Sequence, residues 1–288
     1  MGATQSPDAQ GISIVIPAHN EANVIGRTLD GLLGHTSPGD FDVVVVPNGC
    51  TDSTAAIAGS YPDVRTVVVA EPSKHNALMC GLQEATQPNV VLLDADIDVS
   101  PATIRALVAP LTDRGVLATA PQRSIARSSV SVWVRWYYDV WQQLPQVRTS
   151  LFGRGVIALA PEGVERVAAL PPLMSDDLAI SDLFAPGERA IVDASVVIRP
   201  PRTMADLLRR KMRSVTGNTQ ADQLGARRDE SKTSVGVVVR LAADEPRLIP
   251  KVPVFLTVSI VGRLRARRVI RRADFTTWQR DESSRTIG

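Results

Sequence analysis

The chain has 288 residues, 44% apolar, 22% charged and only 4% aromatic, which suits one large globular domain or two small ones with an aliphatic core and excludes disordered, collagen-like and coiled-coil architectures. Its net charge of +2 conceals a polarity, because residues 1–198 carry 12 Lys and Arg against 21 Asp and Glu while residues 199–288 carry 20 against 9. Two cysteines, Cys50 and Cys80, cannot build a disulfide framework, the first twenty residues lack the basic start and apolar run of a secretory signal, and the apolar stretch 252–262 is broken by Pro253 and too short to span a bilayer.

The expected setting is therefore reducing and cytoplasmic, and residues 1–11 read as a disordered lead-in. Residues 12–16 form a short, mostly β-branched run that predicts a strand, and within 21–33 the residues Ile25, Leu29, Leu32 and Leu33 recur at helical spacing. The same alternation predicts strands over 42–46, 64–69 and 90–93 and helices over 52–59 and 76–85. Ser100 followed by Pro101 predicts an N-capped helix to Leu111. Continuously apolar strands separated by helices imply an α/β fold with a mostly parallel central sheet covered on both faces.

Beyond residue 111 the pattern loosens. A helix is expected over 129–143, carrying Trp133, Trp136, Tyr137, Tyr138 and Trp141, and so many large aromatics suit a core or an acceptor wall better than base stacking. A strand near 155–159, a strand over 188–198, a basic helix over 203–215 and a polar loop over 217–232 complete the expectation. Residues 12–218 are read as one domain and 219–288 as a basic C-terminal extension.

In an open parallel sheet, ligands gather beyond the carboxyl ends of the strands. Three polar clusters stand there: Pro17-Ala18-His19-Asn20-Glu21, Asn48-Gly49-Cys50-Thr51-Asp52, and Asp94-Ala95-Asp96-Ile97-Asp98. Alternate carboxylates such as Asp94 and Asp96 suit a hard divalent cation that also bridges a diphosphate, whereas the bland reading is an acidic turn before the next helix, to which Asp98 belongs. Asp176 and Asp177 form a second acid pair, able to supply a general base or simply to suit a helix N-terminus. Arg210 and Arg213 share a face of the basic helix and could hold a phosphate. Cys50 and Cys80 read as small packed residues, and His75 as a surface residue beside Lys74.

Taken in order, Pro17–Glu21, Asn48–Thr54, Lys74 with Asn76-Ala77-Leu78, Asp94-Ala95-Asp96, Asp176-Asp177 and Arg210-x-x-Arg213 resemble the family 2 glycosyltransferases of GT-A fold, over roughly residues 12–218. The resemblance implies an inverting transferase that moves a sugar from a nucleoside diphosphate donor to an acceptor hydroxyl of a glycan, a cell-envelope saccharide or a lipid-linked saccharide, assisted by Mg²⁺ or Mn²⁺. It further implies that Pro17, Ala18, His19, Glu21 and Asn48 border the nucleoside, with His19 where the family often stacks an aromatic. Asp94 and Ala95 would meet the ribose or donor sugar, Asp96 with Asp94 the metal and diphosphate, and Lys74 would bind the nucleotide-sugar. Asp177 would be the catalytic base with Asp176 next to it, and Arg210 and Arg213 would bind phosphate or acceptor. Asn48 departs from the family's aspartate, and Ser214 replaces the tryptophan of processive synthases, which favours addition of a single sugar.

Residues 263–272 hold six arginines directly after an apolar segment. On a helix they suit either an anionic membrane surface, at the inner face of the cell membrane, or a solvated face; nucleic acid fits less well, because no aromatics are interleaved. Two other functions compete with the transferase. A nucleotidyltransferase would carry a glycine-rich phosphate loop after the first strand, and 17–21 contain no glycine. A non-catalytic membrane-surface module would keep its binding after loss of Asp96 and Asp177.

Overall fold

The computed structural model describes residues 11–172, 176–223, 228 and 233–271. Most of the expected lead-in, residues 224–227 and 229–232 of the expected loop, and Arg272 lie outside the described residues.

The chain opens with alternating strands and helices: β1 (Ile12–Ala18), α1 (Ile25–Leu33), β2 (Asp42–Pro47), α2 (Thr54–Gly59), β3 (Val64–Thr66), α3 (Lys74–Glu84), β4 (Asn89–Leu93) and α4 (Pro101–Asp113). It continues through β5 (Ala118–Ile125), α5 (Val132–Trp141), α6 (Pro145–Thr149), β6 (Val156–Leu159), α7 (Pro161–Ala168), α8 (Asp176–Leu183) and β7 (Arg189–Ile198). The last elements are α9 (Met204–Gln223), α10 (Val235–Asp244), a 3-10 turn over Pro246–Lys251 and α11 (Val252–Arg271).

Local chemistry explains the first half. Helix α1 buries Ile25, Leu29 and Leu32 of the predicted stripe together with Thr28, while Leu33 is half-buried. Ser100 Oγ accepts the Thr103 amide and Pro101 occupies the first turn of α4. Ser73 Oγ likewise accepts the Asn76 amide, so α3 starts at Lys74, two residues before the expected start. Strand β3 is shorter than expected, with one further bridge joining Val69 to Asn48.

The seven strands among the described residues belong to one sheet in the order β3-β2-β1-β4-β6-β5-β7. β1 pairs parallel with β2 and β4, and β2 parallel with β3, whereas β6 runs antiparallel to both β4 and β5. β2, β1 and β4 are therefore neighbours with their carboxyl ends on the same edge. The three polar clusters that follow them stand side by side.

The described residues form two compact units. The first comprises 11–122, 154–172 and 184–196 and contains most of the sheet. Its core is the aliphatic interior of β1, β2 and β4, where Ile14, Val15, Ile16, Val44, Val45, Val46 and Val91 are fully buried. The second comprises the described residues of 123–153, 173–183 and 197–288. There α11 packs on α9 and α5, and Tyr137 of α5 stacks on Phe255 of α11 with ring centroids 5.3 Å apart. Tyr138, Val134, Leu207, Val238, Leu248 and Val258 close this core, so the aromatic helix is a core element, with Trp133 left exposed. Each such large side chain contributes about 1.5–3 kcal/mol when fully buried.

Helices α6, α7 and α10 were not among the expected elements, and two further differences bear on the fold. Strand β5 was not foreseen, because ATAPQRSI carries a proline and polar residues where an apolar run would mark a strand. Residues 217–223, expected as loop, continue α9, whose Thr216 and Gly217 are buried and whose flank packs against α11; tertiary contact overrides the weak helix propensity of Gly217, Asn218 and Thr219.

Candidate active site

The first unit presents the three strand-end clusters as one laced surface. Asn20, at a φ of 51°, turns its Oδ1 to accept the Thr51 amide at 2.7 Å. Asp52 accepts the Ala22 amide through Oδ2 at 3.1 Å and the Thr54 amide through Oδ1 at 3.0 Å. Thr54 Oγ1 donates to Asp52 Oδ1 and accepts the Glu21 amide at 2.7 Å. The loops after β1 and β2 are thus tied by side chains of the two expected motifs, which is why those motifs carry Asn, Asp and Thr at these positions.

His19 and Asn48 meet across the same two strands. His19 Nδ1 lies 2.5 Å from the Asn48 carbonyl, and since a carbonyl only accepts, this nitrogen carries the proton. Asn48 is buried, and both its backbone amide and its Nδ2 donate to the Ala18 carbonyl, at 2.8 and 2.9 Å. Its Oδ1 is buried without a hydrogen-bond partner. An aspartate here would bring a carboxylate against the Ala18 carbonyl, to which the amide of Asn48 donates. Pro17 is half-buried at the same edge, and Glu21, in the loop after β1, is buried. Gly49 has a φ of 54°, and a Cβ there would lie 2.6 Å from Pro72, so this turn admits only glycine.

The acidic cluster after β4 is braced from three sides. Lys74 Nζ donates to Asp94 Oδ1 at 3.0 Å, joining the first turn of α3 to the end of β4. Thr28 Oγ1 donates to the carbonyl of buried Ala95 at 2.8 Å, and Arg27 pairs with Asp98 at 2.7 Å, so α1 holds the loop and Asp98 is a structural anchor. Just before β6, the Gly155 carbonyl accepts the Asp94 amide at 2.8 Å. Gly155 has a φ of 68°, and a Cβ on it would sit 2.3 Å from Ile97 Cγ1 and 3.4 Å from Asp94 Oδ2. Asp96 is half-buried between Ala95 and Ile97, both of which are buried.

Arg154, beside Gly155, is a residue that sequence reasoning passed over. It is 2% exposed, its Nη1 donates to the Pro121 carbonyl at 2.6 Å, and burial pulls its guanidinium down to about 10. A lone arginine between Gly153 and Gly155, just before an apolar strand, was the available signal. Cys50 was read as packing only, yet its Sγ accepts the Asn20 amide at 3.4 Å and donates to the Ala18 carbonyl at 3.5 Å. His75, expected at the surface, is half-buried, and burial holds its imidazole below the ordinary value.

The remaining expected site residues belong to the second unit. Asp177 is half-buried in the first turn of α8, and of Asp176 the side chain lies outside the described residues. The helix is tied down further along: Ser181 Oγ accepts the Leu151 amide at 3.0 Å, and Arg228 donates to Asp182 Oδ2 through its amide and to the Asp182 carbonyl through Nε. Arg210 and Arg213 are half-buried on α9. Burial pushes the Tyr137 hydroxyl up, and the nearby Arg210 charge opposes that rise.

Among the described residues no cluster of three or more His, Cys, Asp or Glu is placed to hold a metal ion. Asp94 and Asp96 still offer hard oxygen donors at one strand end. Mg²⁺ and Mn²⁺ sites commonly use one or two carboxylates and take their other ligands from substrate phosphates and water, so these residues fit such an ion.

The mostly parallel sheet with helices around it is a fold of GT-A type. The Glycosyl transferase family 2 model matches residues 13–156, half of the chain, and the protein belongs to that family of enzymes. Over 266 residues, 87% of the chain and 68% of the relative, it is 26% identical to an undecaprenyl-phosphate 4-deoxy-4-formamido-L-arabinose transferase of Pseudomonas savastanoi. Over 115 residues it is 30% identical to a glycosyltransferase of Mycobacterium bovis, a match spanning 40% of this chain and half the length of that relative. Among solved structures, a mannosyltransferase from Pyrobaculum calidifontis in complex with GDP-Man and Mn²⁺ aligns with a TM-score of 0.60 at 21% identity, covering 96% of this chain and 80% of the other. Glucosyl-3-phosphoglycerate synthase from Mycobacterium tuberculosis, in complex with Mn²⁺, UDP-Glc and phosphoglyceric acid, aligns with a TM-score of 0.54 at 22% identity, covering 76% and 81%. Both confirm the fold.

Proposed function

We propose that the protein transfers a sugar from a nucleoside diphosphate donor to an acceptor oxygen with inversion at the anomeric carbon. The observation that carries this reading is the Lys74–Asp94 pair beside Asp96 at the end of β4, in a chain of this family. The loops after β1 and β2, with Pro17, Ala18, His19, Glu21 and Asn48, form the wall for the nucleoside. Lys74 presents a cation to the departing diphosphate and holds Asp94 in place. Asp96 and Asp94 are the residues that would hold a divalent ion, which when bound supplies charge neutralisation to the diphosphate. Asp177 takes the proton of an acceptor hydroxyl as its oxygen attacks, and Arg210 and Arg213 bind a phosphate of the acceptor.

Glycan, cell-envelope and lipid-linked saccharides are the acceptors for this reading. A second reading, favoured by the names of several relatives, is a lipid phosphate, since those proteins are described as undecaprenyl-phosphate transferases. The chemistry differs at one point. A phosphate oxygen is already ionised at neutral pH and has no proton for Asp177 to remove.

The test is a thermal-shift panel of UDP, GDP, CDP, dTDP and ADP, each with Mn²⁺, Mg²⁺ or EDTA. A nucleotide at a hundred times its dissociation constant adds about 2.7 kcal/mol, a rise of about 5–10 °C for a chain of this size. One base stabilising only with metal, and failing to do so in Asp96→Ala, is the expected result. No shift with any nucleotide would sink the donor assignment.

A further inference from the structure

Helix α11 has two unlike faces. Phe255, Val258, Ser259, Gly262 and Ala266 are buried, and the approach to α9 is so close at Gly262 that a Cβ there would lie 2.6 Å from Lys211 Cγ. The opposite face is Thr257, Ile260, Leu264 and Arg267, spaced by three and four residues, all exposed. Ile260 and Leu264 are 54% and 53% exposed. Arg263 and Arg265 are exposed on the two flanks of that stripe. Arg263, Arg265 and Arg267 make no ion pair with any described residue, and residues 246–273 contain eight Lys and Arg and no acid at all.

An apolar stripe with cations on both flanks is an unfavourable solvated face, because two branched aliphatic side chains stay in water. A second copy of the same face would bring the arginine rows together. Nucleic acid would meet the arginines but leave Ile260 and Leu264 without apolar partners. Nor does the helix cross a bilayer: no helix among the described residues is long and apolar enough. We propose that the outward face of α11 docks on an anionic lipid bilayer, with Ile260 and Leu264 entering the acyl boundary and Arg263, Arg265 and Arg267 meeting lipid phosphates. The proposal does not depend on the transfer reaction, and its readout involves no turnover.

The experiment is co-sedimentation of the full chain with vesicles of phosphatidylcholine, alone or mixed with phosphatidylglycerol, at low and high salt. Binding is expected only to the mixed vesicles and is expected to weaken with salt. Each arginine is worth roughly fivefold in partition, so the triple replacement of Arg263, Arg265 and Arg267 by Ser lowers it on the order of a hundredfold. Ile260→Ser with Leu264→Ser lowers it by roughly tenfold or more and leaves the salt dependence in place. These side chains are exposed, so circular dichroism and the melting temperature should match the unsubstituted chain. Wild-type protein left in the supernatant, or either variant partitioning as wild type does, would overturn the proposal. So would tight binding to duplex RNA that the arginine variant loses and the Ile260/Leu264 variant keeps, with no vesicle binding.

Discussion

The ammonium of Lys74 lies 3.0 Å from a carboxylate oxygen of Asp94, linking the start of α3 to the end of β4. About a third of each side chain is exposed, so the pair contributes only about 0–1 kcal/mol to stability. Under the proposed function its value is positional and electrostatic. Lys74→Ala is expected to shift the melting temperature by no more than a few degrees while lowering kcat/KM on the order of a hundredfold. Steady-state kinetics alongside a thermal melt checks this, and unchanged kinetics would remove Lys74 from the site.

Gly155 reaches the acidic loop from the other side. With a φ of 68° and Ile97 2.3 Å from any added Cβ, Gly155→Ala must shift Ile97 and strain its own backbone, at a cost of about 1–3 kcal/mol. The neighbouring Asp94 is displaced with them. Reduced stability in urea melts together with weaker nucleotide binding is the expected pair of changes, and loss of stability with intact binding would show the strain absorbed elsewhere.

Asp177→Asn separates the two classes of acceptor. With a hydroxyl acceptor, loss of the general base lowers kcat by about 10²–10⁴-fold. With a lipid-phosphate acceptor, the attacking oxygen is already anionic and the variant should retain most of its rate. Measuring both acceptors with one donor decides between them.

Asp139 gives the second unit an acid-sensitive joint. It is 8% exposed and accepts from Arg127 Nη1 at 2.8 Å and Lys251 Nζ at 2.7 Å. Burial raises its carboxyl, but the hydrogen bonds and charges of Arg127 and Lys251 outweigh that and hold it below its ordinary value of 3.8. A carboxyl depressed in the folded state stabilises fully above its unfolded value and loses that contribution as pH falls through the folded one. Asp139→Asn should therefore cost about 1–3 kcal/mol at neutral pH and flatten the fall in stability between about pH 5 and pH 2. Urea unfolding of both proteins across that range is the check, and parallel curves would show that Asp139 does not carry the acid transition.

By itself the sequence determined the alternating first half of the fold and the positions of the strand-end clusters. β-Branched apolar runs such as Val43–Val46 favour a buried strand, and Ser100 sets a helix start through a contact spanning only three residues. Such signals are local, so they can be read without the fold. What sets Lys74 on Asp94, Arg27 on Asp98 and Gly155 against Asp94 is pairing across 20, 71 and 61 residues of chain. No periodicity encodes those partners. The reversed direction of β6, the strand at Ala118–Ile125 and the extra turns of α9 depend likewise on neighbours already in place. The motifs carried the family resemblance because residue type and spacing are local; only the assembled sheet decided which charges touch, because burial and distance exist only once distant segments have packed.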